Sequence, residues 1–134
     1  MIKARNPTVI LMRHCESEFN KHEVQNDVKP DLILCSPLRR CVETFTHLNV
    51  DGPVIFTTLC REHKVDVCDF FDHEDPQVLD CEPVLLQRVE RFKDYLKRLG
   101  ESFKTILVIS HGDFIWYLTS RVMGGERYGQ WQLR

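Results

Sequence analysis

The chain has 134 residues, of which 43% are hydrophobic and 28% are charged, and its formal net charge is -2 at pH 7. This length predicts a single domain over residues 1–134, with enough chain to bury a core. The near-neutral charge argues against nucleic acid or an anionic membrane as a partner, so any anion site must come from a local cluster. No apolar run reaches the roughly 18 residues of a membrane span, and no signal-peptide h-region follows the N-terminus, which predicts a cytoplasmic protein.

Short apolar runs alternate with segments of helical spacing. This alternation predicts an α/β fold with three layers, α/β/α, around a mainly parallel central sheet of about four strands. The final residues, 126–134, fit either a tail or a last short strand. The predicted strands are Val9–Met12, Asp31–Cys35, Val54–Thr57 and Thr105–Ile109, and the predicted helices are Glu16–Val24, Leu38–Leu48 with Ser36 as N-cap, Val84–Leu99 and Phe114–Met123.

Three of the four predicted strands lead directly into groups that suit phosphate. The first ends in Arg13-His14, the second leads into Arg39-Arg40, and the fourth ends in His111-Gly112. Because the carboxyl ends of parallel strands share one edge of a sheet, these groups are expected to meet in one pocket. Arginine donates paired hydrogen bonds to phosphate oxygens, so the pattern predicts a site for a tetrahedral dianion. Arg39 should point away from that site, since consecutive helical residues do not share a face.

Four short motifs lie at or near these strand ends, and they are Arg13-His14-Cys15-Glu16-Ser17 followed by Asn20, Ser36-x-Leu38-x-Arg40 followed by Thr44, Leu59-x-Arg61-Glu62, and Ser110-His111-Gly112. Together they resemble the motifs of the histidine phosphatase (phosphoglycerate mutase-like) superfamily, in the order of that family. Each motif alone is weak, but four in register are specific, and the resemblance extends over residues 8 to about 118.

The resemblance implies that His14 is the nucleophile and forms a phosphohistidine, which splits one displacement into two easier ones. It implies that Glu62 protonates the leaving oxygen and later accepts a proton from water. Asp69, Asp72 and Glu74 lie in the same irregular segment, 59–83, and remain alternative proton donors.

The resemblance also implies how the phosphoryl group is held. Arg13, Arg40 and His111 would stabilise its charged oxygens, and Asn20 would assist in binding. No metal and no other cofactor is required, because cationic side chains replace the metal ion. The cysteines contain no Cys-x-x-Cys pair, so their spacing does not favour a zinc site, and reduced thiols are expected in the cytoplasm.

The leading hypothesis is a metal-independent phosphatase that acts on a phosphorylated small molecule or a phosphorylated protein side chain. A phosphoglycerate mutase-type transfer is the first alternative. The short stretch of about ten residues between Asn20 and Asp31 favours an open site and hydrolysis. The second alternative is a weakly active or inactive phosphate-binding module. Cys15 keeps this alternative open, since glycine usually follows the nucleophile in the family and permits a closer approach of the backbone to a ligand.

Overall fold

A five-stranded sheet with the order β3-β2-β4-β1-β5 forms the centre of the molecule. The computed structural model describes residues 6–14, 29–48, 50–64, 81–123 and 128–133. In chain order, the elements are β1 Thr8–Arg13, β2 Leu32–Cys35, α1 Arg39–His47, β3 Val54–Phe56, a 3₁₀ turn Thr58–Cys60, α2 Glu82–Leu99, β4 Thr105–Ser110, α3 Gly112–Leu118 and β5 Tyr128–Gln132.

The sheet is parallel except at one edge. Strand β4 pairs in parallel with both β1 and β2, and β2 pairs in parallel with β3. Strand β5 pairs antiparallel with β1, so the last part of the chain supplies an edge strand. The mainly parallel sheet of the sequence prediction is confirmed, with one strand more than expected. Since β2, β4 and β1 are neighbours, their carboxyl ends lie side by side.

Helices pack on both faces of the sheet, as the three-layer prediction requires. Alternate strand residues point to opposite faces, so Val9 and Leu11 join the cluster that contains α2 and α3, whereas Met12 joins the cluster beneath α1. The strands β2 and β4 are almost wholly buried, which explains their continuous apolar runs. No described helix is long and apolar enough to cross a membrane.

The start of α1 corrects one prediction. Helix α1 begins at Arg39 with Leu38 as its N-cap, and no side chain caps it. Ser36 is therefore not the N-cap. Its hydroxyl accepts a long hydrogen bond of 3.4 Å from the Leu38 backbone N–H and lies 2.8 Å from a ring nitrogen of His111, so it belongs to a buried polar cluster instead.

The end of α3 corrects another prediction. This helix covers Gly112–Leu118, not Phe114–Met123. Ser120 and Arg121 adopt positive φ angles of 57° and 71°, which a right-handed helix cannot continue. The Thr119 hydroxyl accepts the Met123 backbone N–H at 2.9 Å and stabilises this turn. The predicted helix at Glu16–Val24 lies outside the described residues.

Candidate active site

Two histidines meet where β1 and β4 end. His14 directly follows β1, and its backbone N–H donates to the Ser110 carbonyl at 3.1 Å, which extends the β1–β4 ladder by one step. His111 directly follows β4. The two imidazole rings lie 5.7 Å apart between centroids and are tilted by 55°. The convergence of strand ends that the sequence predicts is therefore present for this pair.

His111 is completely buried, and two neighbouring groups fix the orientation of its ring. Its Nε2 lies 2.8 Å from the Ser36 hydroxyl, at the end of β2. The Cys41 sulfur lies 3.4 Å from the same nitrogen, on the α1 side. All three strand ends at the centre of the sheet thus contribute to one cluster, and the imidazole is held from both sides.

Several positive side chains surround this ring. Burial is the largest cause that lowers the pKa of His111, and the charges of Arg40, His14, Arg88 and Arg61 contribute to a final value of about 2. Arg40 is half-buried on the first turn of α1, whereas its neighbour Arg39 is exposed and pairs with Glu43 at 3.1 Å. The prediction that the two arginines point in different directions is confirmed. His111 is a neutral imidazole among cations.

The depressed pKa of His111 predicts a pH-dependent stability. Below about pH 6.5 the unfolded chain protonates this histidine while the native protein does not, so the free energy of unfolding falls as the pH falls. The expected slope from this group approaches about 1.4 kcal/mol per pH unit. Thermal unfolding of the wild type and of His111→Gln, measured between about pH 7 and pH 5, checks it. In His111→Gln the free energy of unfolding should fall less steeply with falling pH than in the wild type. Parallel curves for the two proteins would contradict the depressed pKa of His111.

The segment that carries Glu62 is attached to the ends of β4 and α2. The Ser110 hydroxyl donates to the Cys60 carbonyl at 2.6 Å. From α2, the Arg88 guanidinium donates to the carbonyls of Leu59, Arg61 and Glu62. It also lies 5.0 Å above the Phe114 ring. These bonds fix the backbone immediately around Glu62.

The Glu62 carboxylate points towards the first turn of α3, next to His111. It accepts hydrogen bonds from the backbone N–H groups of Phe114 at 2.9 Å and Asp113 at 3.4 Å, and from that of His63 at 2.9 Å. Burial nevertheless raises the pKa of this carboxyl above its ordinary value, and the charge of Asp113 raises it further. A carboxyl that keeps its proton to higher pH suits a proton donor.

Arg13, the last residue of β1, lines a cavity of about 390 Å³ together with Gly112, Asp113 and Trp116. The cavity therefore lies beside the residues that follow His111. It is widely open to solvent, and by volume alone it is within the range of small-molecule sites.

The structure places five of the predicted site residues at this edge of the sheet, and these are Arg13, His14, Arg40, Glu62 and His111. Asn20 and Cys15 lie outside the described residues, as do the alternative acids at 69, 72 and 74. No group of three or more His, Cys, Asp and Glu side chains within the described ranges is arranged to hold a metal ion.

Arg88 is a residue of this region that the sequence interpretation missed. It lies on α2 among other charged residues, and its guanidinium reaches the carbonyl of Glu62. A signal was present, because position 88 lies three residues after the buried Leu85 and four before the buried Phe92, on the apolar stripe itself. A cation on a buried stripe predicts a specific acceptor.

The fold is that of solved alpha-ribazole phosphatases, and relatives in sequence and in structure support the resemblance to the histidine phosphatase (phosphoglycerate mutase-like) superfamily. A curated relative, adenosylcobalamin/alpha-ribazole phosphatase of Escherichia coli (strain K12), is 27% identical in an alignment of 152 positions that covers 96% of this chain and 73% of the relative. No family model matches the chain.

Three solved structures share the fold. A protein of Escherichia coli str. K-12 substr. MG1655, described as a candidate alpha-ribazole-5'-P phosphatase, has a TM-score of 0.68 and 21% identity over 90% of this chain and 82% of its own. The product of an open reading frame of Mycobacterium tuberculosis has a TM-score of 0.62 and 18% identity, covering 87% and 80%. The alpha-ribazole phosphatase from Shigella flexneri has a TM-score of 0.58 and 22% identity, covering 90% and 81%.

Proposed function

We propose that the chain is a metal-independent phosphatase that hydrolyses phosphomonoesters through a phosphohistidine on His14. The observation that carries the proposal is the pair of imidazoles, 5.7 Å apart, at the ends of adjacent parallel strands. The charges of Arg40, Arg61 and Arg88 all act on His111, one member of this pair. In a chain with a net charge of -2, such a cluster of cations is a local site for an anion.

In the proposed reaction, a neutral ring nitrogen of His14 attacks phosphorus in line, and the bond from phosphorus to the ester oxygen breaks. Glu62 gives its proton to that leaving oxygen. A water molecule then attacks the phosphohistidine while Glu62 takes the proton of that water, which releases inorganic phosphate and restores both side chains. The raised pKa of Glu62 supports the first of its two roles.

The proposed phosphate cradle consists of Arg13, Arg40, His111 and Asn20. The guanidinium groups carry fixed positive charge, and the neutral His111 donates one ring N–H. Such donors stabilise the charge that develops on the equatorial oxygens, and they act with little reorganisation because Ser36 already fixes the His111 ring.

For the substrate, we propose a phosphorylated small molecule. The relative that covers most of this chain is named for its action on adenosylcobalamin and alpha-ribazole compounds, which favours a small phosphomonoester over a phosphoprotein. No described observation favours a mutase, which would need a bisphosphate primer.

The proposal is tested by phosphate release from a substrate panel in the presence of EDTA. The panel contains p-nitrophenyl phosphate, alpha-ribazole 5'-phosphate, 3-phosphoglycerate and a phosphoserine peptide. Steady release of phosphate from the small esters is expected. Release from none of them, or a primer-dependent isomerisation of 3-phosphoglycerate without hydrolysis, would overturn the proposal.

A further inference from the structure

The cavity beside Arg13 has an aromatic wall that the proposed chemistry does not use. Trp116 lines it and is 39% exposed, although the neighbouring Phe114, Ile115 and Leu118 of the same helix are buried. Asp113 and Trp116 are three residues apart on α3, so they share the face of the helix that looks into the cavity.

Two neighbouring side chains contact the Trp116 ring and limit its movement. The Arg121 guanidinium lies 5.3 Å from its centroid. The Tyr117 ring packs against it edge-on, with 5.3 Å between centroids. A large ring that is supported in this way yet open to solvent offers an aromatic surface to a ligand, because stacking removes apolar area from water without further ordering of the side chain.

We propose that Trp116 is a specificity-determining residue, which stacks on an aromatic or heteroaromatic group in the alcohol part of the phosphomonoester. The inference rests on the proposed function, since Arg13 in the same cavity would hold the phosphate end of that substrate. The cavity of about 390 Å³ has room for a ring beside the phosphate.

Asp113 adds a second element of selectivity. Its side chain is exposed in the same cavity, and a carboxylate there repels an anionic group in the alcohol part of a substrate. The preferred alcohol is therefore aromatic and either neutral or cationic. Phosphorylated sugar acids, which carry a carboxylate and no ring to stack, should be poor substrates.

The test compares two esters with the same phosphorylated sugar, adenosine 5'-monophosphate and methyl ribofuranoside 5-phosphate. Base–aromatic stacking is large enough that kcat/KM should favour the first ester by roughly tenfold or more. Trp116→Ala should remove most of this preference and change kcat/KM for the second ester by less than about twofold. Trp116→Phe, which keeps a ring, should retain most of the preference, and Trp116→Leu, which keeps only apolar bulk, should not.

The inference is overturned if the wild type turns over both esters equally, or if Trp116→Ala lowers both by the same factor. Calorimetry repeats the comparison as binding without hydrolysis. The dissociation constants of both esters are measured for His14→Ala and for the double variant that also carries Trp116→Ala. If the wild type hydrolyses neither these esters nor p-nitrophenyl phosphate, the proposed function fails. In that case the ratio of the dissociation constants of the two esters alone tests whether Trp116 stacks on the aromatic group. Equal dissociation constants overturn the inference.

Discussion

Replacement of His14 by alanine is expected to reduce kcat/KM for p-nitrophenyl phosphate by at least about a thousandfold. The ring is the proposed attacking group, and the remaining cations bind phosphate but cannot form the covalent intermediate. The effect should therefore appear in kcat, whereas inorganic phosphate should still bind.

The matched control is His47→Ala, because His47 is an exposed histidine in the last turn of α1. It should keep the wild-type rate. Thermal unfolding of both variants separates a loss of chemistry from a loss of fold. A His14→Ala protein that retains more than about a tenth of the wild-type turnover would contradict the nucleophile assignment.

Replacement of Glu62 by glutamine is expected to have an effect that depends on the leaving group. For an alkyl phosphate, whose alkoxide leaves poorly without a proton, kcat should fall by about a hundredfold to ten-thousandfold. For p-nitrophenyl phosphate, whose phenolate leaves readily, formation of the phosphohistidine should fall far less. Pre-steady-state release of the alcohol from both esters measures this difference directly.

The pH dependence provides a second readout for Glu62. Burial raises the pKa of its carboxyl, so the protonated, donating form persists above the ordinary range of a glutamic acid and is lost as the pH rises through that pKa. In the wild type, activity on the alkyl ester should decline as the pH rises through the pKa of Glu62. Glu62→Gln should not show this decline. The control is Glu43→Gln, at an exposed carboxylate on α1. Equal losses on both esters would contradict a proton-donor role.

The framework of the site could be predicted from sequence because two local patterns determine it. Continuous apolar runs indicate strands buried on both faces, and charged or polar groups at their carboxyl ends must lie at one edge of a parallel sheet. His14 and His111 follow directly from that logic, and their rings are neighbours in the structure. Their roles in catalysis, and those of Arg13, Arg40 and Glu62, remain predictions.

The parts that sequence reasoning missed depend on tertiary contacts. Ser36 has the local pattern of an N-cap, but the nearby His111 ring competes for its hydroxyl. In the sequence, Arg88 resembles a solvated arginine on a helix. Its three carbonyl acceptors come from the Glu62 segment, which is distant in the chain. The sequence left open whether residues 126–134 form a tail or a last strand, and the pairing of β5 with the edge of β1 decides for the strand.

The central claim is a covalent phosphoryl group on His14, and rapid chemical quench during turnover tests it most directly. The protein is mixed with a phosphomonoester, quenched in alkali, digested and sequenced by mass spectrometry, because a phosphohistidine survives base and is lost in acid. The account predicts a phosphorylated peptide with the group on His14, formed at a rate equal to or faster than kcat and absent in His14→Ala. Phosphate release with no phosphorylated histidine, or with the label on His111 or a cysteine, would contradict it.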